Sequence, residues 1–241
     1  MAKTTTNHKL NAEDPEWLDH LAKFSQVYEE CNYGDNTRSF VMRAGHRFSE
    51  KQFSAQDKFN HVIEVGAGTG EHIQFVKHQF ERYTMTDANP SALALAEKKA
   101  GNTYGNKVSF EIHSGEKLKY KDNTFDRLIA AHVLEHIYKP HLAIKEWIRV
   151  VKNGGVITLL LPTDPGMAWR FARHFGPRRD ALSRGIAYDY VMAREHVNSC
   201  TNLIALLRHY LPNRAEKWWP TPIPSVDLNL FYIYHAFVNK P

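Results

Sequence analysis

Apolar residues recur along this chain in three regimes. From Pro15 to about Phe59 the spacing is three and four: Trp17, Leu18, Leu21, Phe24 and Tyr28 make one face of an expected amphipathic helix. Asn, Gly and Asp crowd residues 31–36 and break it. A second helix follows, with Phe40, Val41, Ala44, Phe48 and Phe53 as its expected buried face. From His61 to Pro162 short apolar runs alternate with helical spacing. Strands are expected over 61–65, 83–87, 108–112, 125–131 and 156–161. Helices are expected over 71–80, 91–100 and 141–151, the last stopped by Gly154 and Gly155. Strands apolar on both faces, alternating with helices, predict a parallel sheet covered on both sides: an α/β, doubly wound, Rossmann-like fold.

Beyond Pro162 the regime changes. Residues 164–197 are Arg-rich, lack a strand pattern and read as a helical insertion after the fifth strand. A helix is expected over 198–211, with Leu203, Ile204, Leu207 and Tyr210 inward. A Pro-interrupted strand over 218–226 and an aromatic strand over 228–238 come next. No helix separates these two, so they should pair antiparallel. The expected organisation is one compact unit, an N-terminal helical cap over 1–59 and a main domain over 60–241.

Composition narrows the class. At about 150 residues per domain, 241 residues make one large domain or one with an elaboration. Hydrophobic residues at 43% and charged residues at 24% are ordinary globular usage. Two cysteines, Cys31 and Cys200, cannot form a disulfide framework and point to a reducing compartment. Cys200 lies in a helical pattern without a basic neighbour and reads as a small core residue. The N-terminus lacks the apolar stretch of a signal peptide, and no run approaches the ~20 apolar residues of a membrane span. The expectation is a soluble, cytoplasmic protein. A net charge of +5 is too weak to argue for a nucleic-acid partner. That excess is local: within 170–184, Arg170, Arg173, Arg178, Arg179 and Arg184 accompany a single acid, Asp180.

Candidate chemistry begins at Val62-Ile-Glu-Val-Gly66-Ala-Gly68-Thr-Gly70, read as a strand, a tight glycine turn and a helix start. Glycines there permit positive φ and close approach of a ligand to the backbone, and a helix N-terminus attracts negative charge. A dinucleotide fingerprint would be G-x-G-x-x-G; this is G-x-G-x-G, preceded by Glu64. Asp87 ends the next strand about 20 residues on, where an acid can take a ribose hydroxyl pair. Both patterns imply an adenosine-containing ligand.

Glu64-Val-Gly-Ala-Gly-Thr-Gly70, Asp87, Ser114-Gly-Glu116, Phe125-Asp126, Val133-Leu-Glu-His136 and Arg149-Val-Val-Lys-Asn-Gly-Gly155 together resemble a class I S-adenosylmethionine-dependent methyltransferase of the ubiquinone/menaquinone-biosynthesis type. The resemblance spans about residues 60–162 and implies a seven-stranded sheet with an antiparallel last strand. It implies S-adenosyl-L-methionine as cofactor. Glu64, Gly66, Ala67 and Gly68 would hold its methionine part, with Gly70 in the same cofactor-binding turn, Asp87 its ribose and Ala88 its adenine. Ser114, Gly115 and Glu116 would sit at the adenine edge, with Ser114 where many relatives carry Asp. Ala131 and His132 would lie near the methyl group.

His132-Val-Leu-Glu135-His136 also matches H-x-x-E-H, but zinc needs that pattern on a helix with a further ligand. Here it starts at a strand end, so no metal is expected. Glu195-His196-Val-Asn198 reads as a helix cap with Asn198 as N-cap, or as a substrate contact. Arg43, His46 and Glu50 form either a solvated stripe or a surface closing over the site, and Tyr28 and Tyr33 are similar candidates. The arginine cluster, with Arg178 and Arg179 at its centre, is either a solvated insertion or an anion-binding lid.

The reaction expected is transfer of an activated methyl, in which alignment and exclusion of water do most of the work. A hydroxyl acceptor needs a general base, for which His132, His136 and His196 are candidates. Neither an N/D-P-P-aromatic tetrad nor a Pro-Cys pair is present, which favours a small-molecule acceptor: a sugar, a lipid-linked intermediate, a quinone precursor or a natural-product scaffold. Methylation at O or N is expected, and the arginine cluster points to an acceptor bearing phosphate or carboxylate. Methylation of RNA or protein, a nicotinamide-dependent oxidoreductase, and a cofactor binder without catalysis are the alternatives.

Overall fold

The computed structural model describes residues 14–20, 23 and 37–240. Leu21, Phe24, Tyr28, Cys31 and Tyr33 lie outside the described residues. Seven strands form one sheet: β1 (Lys58–Val65), β2 (Gln79–Asp87), β3 (Val108–Ile112), β4 (Phe125–Ala131), β5 (Val151–Pro162), β6 (Arg214–Trp219) and β7 (Phe231–Phe237). Their order is β3-β2-β1-β4-β5-β7-β6. Strands β1 to β5 run parallel, and β7 pairs antiparallel with both β5 and β6. The reversed last strand follows from the chain: only a loop joins β6 to β7, too short for a parallel crossover.

Alternation along the central strands distributes side chains between two layers. Leu128, Ile157, Leu159 and Tyr232 share one core with Ile144 and Trp147 of α3 (Pro140–Val150) and Leu203 and Leu207 of α7 (Cys200–Tyr210). On the other face Val62, Met85 and Ile129 meet Leu93 and Ala96 of α2 (Pro90–Tyr104). There too Leu160, Phe231 and Ile233 meet Met42 of α1 (Thr37–Ser49). The insertion is helical: α4 (Met167–Phe175), α5 (Pro177–Ser183) and α6 (Tyr188–Glu195). Residues 15–20 are helical, and Trp17 is buried against Ala181, Ile186 and Val191 of this insertion. Among the described residues no helix is long and apolar enough to cross a membrane.

Several local expectations are corrected. Residues 71–80 form no α-helix; a single 3-10 turn, Ile73–Phe75, precedes β2. Gln79 and Phe80 pair with Lys58 and Phe59, so the ladder claims residues that helical spacing would have used. The glycine turn therefore lacks the helix N-terminus expected behind it. Gly154 and Gly155 do not stop α3, which ends at Val150, but lie inside β5. There the pairing shifts from Phe125–Val151 to Arg127–Val156, and Gly154 takes φ 78° in the irregularity. The strand expected over 218–226 lies earlier, at Arg214–Trp219. Ser199, not Asn198, caps α7 by accepting the Asn202 N–H. Asn198 instead donates to the carbonyls of Leu134 and Ile137.

The face of α1 is the largest correction. Phe40 is exposed, whereas Ser39, Met42, His46 and Ser49 are buried, followed by Glu50. A solvated stripe at His46 and Glu50 is thereby excluded. The helix turns a polar face inward because β4 carries a charge there: Arg127, wholly buried in the centre of the sheet. Its guanidinium donates to both Glu50 carboxylate oxygens at 2.9 and 2.6 Å and lies 3.8 Å from the Phe53 ring centre.

Candidate active site

The carboxyl ends of β1, β2, β3 and β4 share one edge of the sheet, where open α/β folds bind ligands. Behind β1, Gly66 takes φ 67° and Gly68 φ 58°. A Cβ on Gly66 would meet Val133 Cγ2 at 2.5 Å, so glycine is required there on two counts. Gly70 packs close against Ala96 of α2. Asp87 is buried at the end of β2. Its carboxylate accepts the Gly68 and Asn89 N–H groups, both at 2.8 Å. A carboxylate has about four acceptor positions, so two remain for a vicinal diol. Asn89 also caps α2 behind Pro90, which fixes the path of Ala88.

Glu64 is buried and accepts the Tyr83 hydroxyl at 2.7 Å. Burial first, then Glu64, pushes the Tyr83 hydroxyl well above its ordinary range, so it stays the donor. Ser114, Gly115 and Glu116 form a pinned turn. Ser114 Oγ accepts the Glu116 N–H at 3.3 Å, and the Gly115 carbonyl accepts Trp147 Nε1–H at 2.8 Å. These residues, with Ala131 and His132, are thus gathered on one edge by four consecutive strand ends.

His132 holds φ 56°, a left-handed conformation that costs a non-glycine residue about 1 kcal/mol or more. Its N–H donates to the Leu160 carbonyl at 2.9 Å, which locks the turn. Two buried polar networks meet at this ring. Toward the sheet, the His46 ring lies 5.6 Å from that of His132. His46 Nδ1 is 2.9 Å from His72 Nδ1, and His72 Nε2 is 2.9 Å from Glu50 Oε1. A carboxylate only accepts, so His72 donates from Nε2; in the neutral ring its Nδ1 accepts. His46 then donates from Nδ1 and presents Nε2 as an acceptor. Burial alone would raise the Glu50 carboxyl, but Arg127 and then His72 outweigh it and hold it well below the usual carboxylate range.

Toward the insertion, Glu135 lies 3.7 Å from both His132 Nδ1 and His136 Nε2. Burial works to raise it, and the surrounding imidazoles, His132 foremost, bring it down to about 2. His136 Nδ1–H donates to the Glu195 carbonyl at 2.8 Å. His196 Nδ1 is 2.8 Å from Asp164, which also accepts from Arg173 at 2.7 Å. Burial lowers the His196 imidazole, against the pull of Asp164. His196, Asp164 and Arg173 line a cavity of about 330 Å³ with Asp189 and Asn198. Among the described residues no group of three His, Cys, Asp or Glu is arranged to hold a metal ion.

Not every candidate converges. Arg43 is 3.9 Å from Glu71, behind the glycine turn. Arg178 is paired with Asp189 and Arg184 with Asp180, while Arg173 holds Asp164. Three of the five clustered guanidiniums are therefore engaged by the chain's own acids, and Arg179 is exposed. His72 and Arg127 are the residues sequence reasoning missed, and Glu50 was named without its buried partner. An arginine amid the apolar strand Phe125–Ala131 was the available signal, since a buried charge requires a partner.

Residues 63–159 match a family described as a methyltransferase domain. A rice (Oryza sativa subsp. japonica) 2-methyl-6-phytyl-1,4-hydroquinone methyltransferase is 37% identical over 106 residues, 43% of this chain and 31% of that protein. A ubiquinone/menaquinone biosynthesis C-methyltransferase of Rickettsia felis is 30% identical over 142 residues, 55% of this chain and 56% of that one. The chain thus spans about half or less of the length of these relatives. Among solved structures, the N-methyltransferase NodS of Bradyrhizobium japonicum superposes with a TM-score of 0.58 at 16% identity, covering 86% of this chain and 99% of that one. That likeness is one of fold.

Proposed function

We propose that this chain, whose residues 63–159 match a methyltransferase domain, is a class I S-adenosylmethionine-dependent methyltransferase that moves a methyl group to an O or N atom of a small-molecule acceptor. The bound cofactor would supply a methyl made electrophilic by its sulfonium. The cradle supports this: Asp87 retains acceptor positions for the ribose, and Gly66 and Gly68 hold the positive φ that turns the backbone behind β1. Glu64 and the glycine turn hold the methionine part, Ala88 and Ser114 to Glu116 the adenine, and Ala131 with His132 the region of the methyl. His132 carries the proposal for proton removal, because it alone of the three histidine candidates joins the cofactor edge to both polar networks. His136 acts on it through Glu135, and His196 through His136, whose ring is 4.9 Å away, rather than directly. The exposed Arg179 leaves an anionic acceptor open at the insertion, with Arg178 needing release from Asp189 first.

A second reading, methylation of a ring carbon, is favoured by the names of the hydroquinone and quinone C-methyltransferase relatives. Both readings need a base to take a proton from the acceptor. Incubating the protein with isotope-labelled methyl donor and cell extract tests them together. Label on a small molecule is expected, and its carbon-13 shift separates an O- or N-methyl from a C-methyl. No transfer to any small molecule, or transfer only to RNA or protein, would overturn the proposal.

A further inference from the structure

We infer that α4 and the loop beside it form a docking surface for an anionic phospholipid bilayer. Met167, Phe171 and Phe175 follow one another at intervals of four on α4, and they are 64%, 68% and 58% exposed. One helical face thus carries three large apolar side chains into solvent, with the two phenylalanine rings 4.6 Å apart. Across from Met167 and Phe171, Leu228 is also about half exposed, at 49%. The space between is a shallow, chiefly apolar cavity of about 490 Å³. The opposite face of α4 is already used: Trp169 packs on Phe231, and Arg173 turns in to Asp164. Nothing in the fold's own core needs the outer stripe.

Charge selects the occupant. Residues 167–184 hold five arginines and one acid, Asp180. Arg170 and Arg179 are exposed, and among the described residues no carboxylate pairs with either. Arg170 and His174 flank the apolar stripe on one side, the arrangement of a helix lying in a bilayer interface with its rings among the acyl chains. Asp227, which accepts the Met167 N–H at 3.0 Å, is the acid nearest the apolar rim. A second copy of the chain fits less well, because a self-complementary contact would set one basic patch against another. The surface also adjoins the site: Phe231, which Trp169 packs on, lies 5.4 Å ring to ring from His132. This inference rests on exposure and charge, not on the acceptor proposed above.

Co-sedimentation of the full chain with vesicles tests it. Binding to phosphatidylcholine–phosphatidylglycerol vesicles is expected, with little to phosphatidylcholine alone, and added salt should weaken it. Phe171→Ser with Phe175→Ser, and separately Arg170→Glu with Arg179→Glu, should each weaken binding on the order of tenfold or more. All four residues are exposed, so unchanged thermal unfolding should accompany both losses. No binding to anionic vesicles, equal binding to neutral ones, or wild-type binding by both variants would overturn the inference. So would a dimer that Phe171→Ser with Phe175→Ser converts to monomer in a protein that ignores vesicles.

Discussion

The two networks that meet at His132 differ in what surrounds them. On the sheet side, His46, His72, Glu50 and Arg127 are all buried, and a two-point ion pair closes the chain at 2.6 and 2.9 Å. On the insertion side, Glu135, His136, His196 and Asp164 line up toward a cavity, and the terminal guanidinium of Arg173 reaches it. A sealed network fixes proton positions: the Glu50 carboxylate only accepts, so the tautomer of His46 follows from a carboxylate two rings away. A network beside a cavity can exchange partners with whatever enters. The sheet side therefore keeps one proton arrangement, and the insertion side can rearrange.

Breaking the sealed side should have the largest effect. Glu50→Gln leaves the Arg127 charge buried with a neutral partner, a loss of about 3–5 kcal/mol. In a domain of this size that is a fall of roughly 10 °C in melting temperature, readable by calorimetry. A fall of only a degree or two would mean that water reaches Arg127 and that the two networks are alike.

Acid sharpens the same contrast. Burial, with Arg127 next in the last two cases, holds His61 and His78 down to about 4 and His235 down to about 3. Their folded values lie below the unfolded value of about 6.5, so they stabilise fully above that pH and lose the contribution as pH falls toward 4 and 3. Denaturant midpoints should drop across that window, and His235→Gln should flatten the curve. A midpoint independent of pH there would remove the sealed character of the sheet side. The smallest effect belongs to the insertion surface: Arg178→Ala, which breaks an exposed pair with Asp189, should leave the denaturant midpoint close to that of the wild type.

Legibility in the sequence followed the same division. The glycine turn and Asp87 at the end of β2 were readable because glycines at positive φ and an acid at a strand end are local features, visible at fixed spacing. The parallel sheet was readable from alternation of strand and helix, and the antiparallel pairing of β6 with β7 from the missing helix between them. The inward face of α1 was not. Apolar spacing puts Phe40 inside, yet Arg127, 77 positions from Glu50, decides which face turns in. A charge pair of that separation leaves no periodic trace. The missing helix over 71–80 failed for a related reason: pairing with Lys58 and Phe59 outweighs a local pattern.

The central claim is that the β1 and β2 ends form an S-adenosylmethionine cradle, and calorimetric titration with S-adenosylhomocysteine tests it most directly. The wild-type chain should bind. Asp87→Ala should bind at least about 100-fold more weakly, since two hydrogen bonds to a charged group are each worth about 1.5–3 kcal/mol. Equal affinity in the two proteins, with both folded by circular dichroism, would contradict the account.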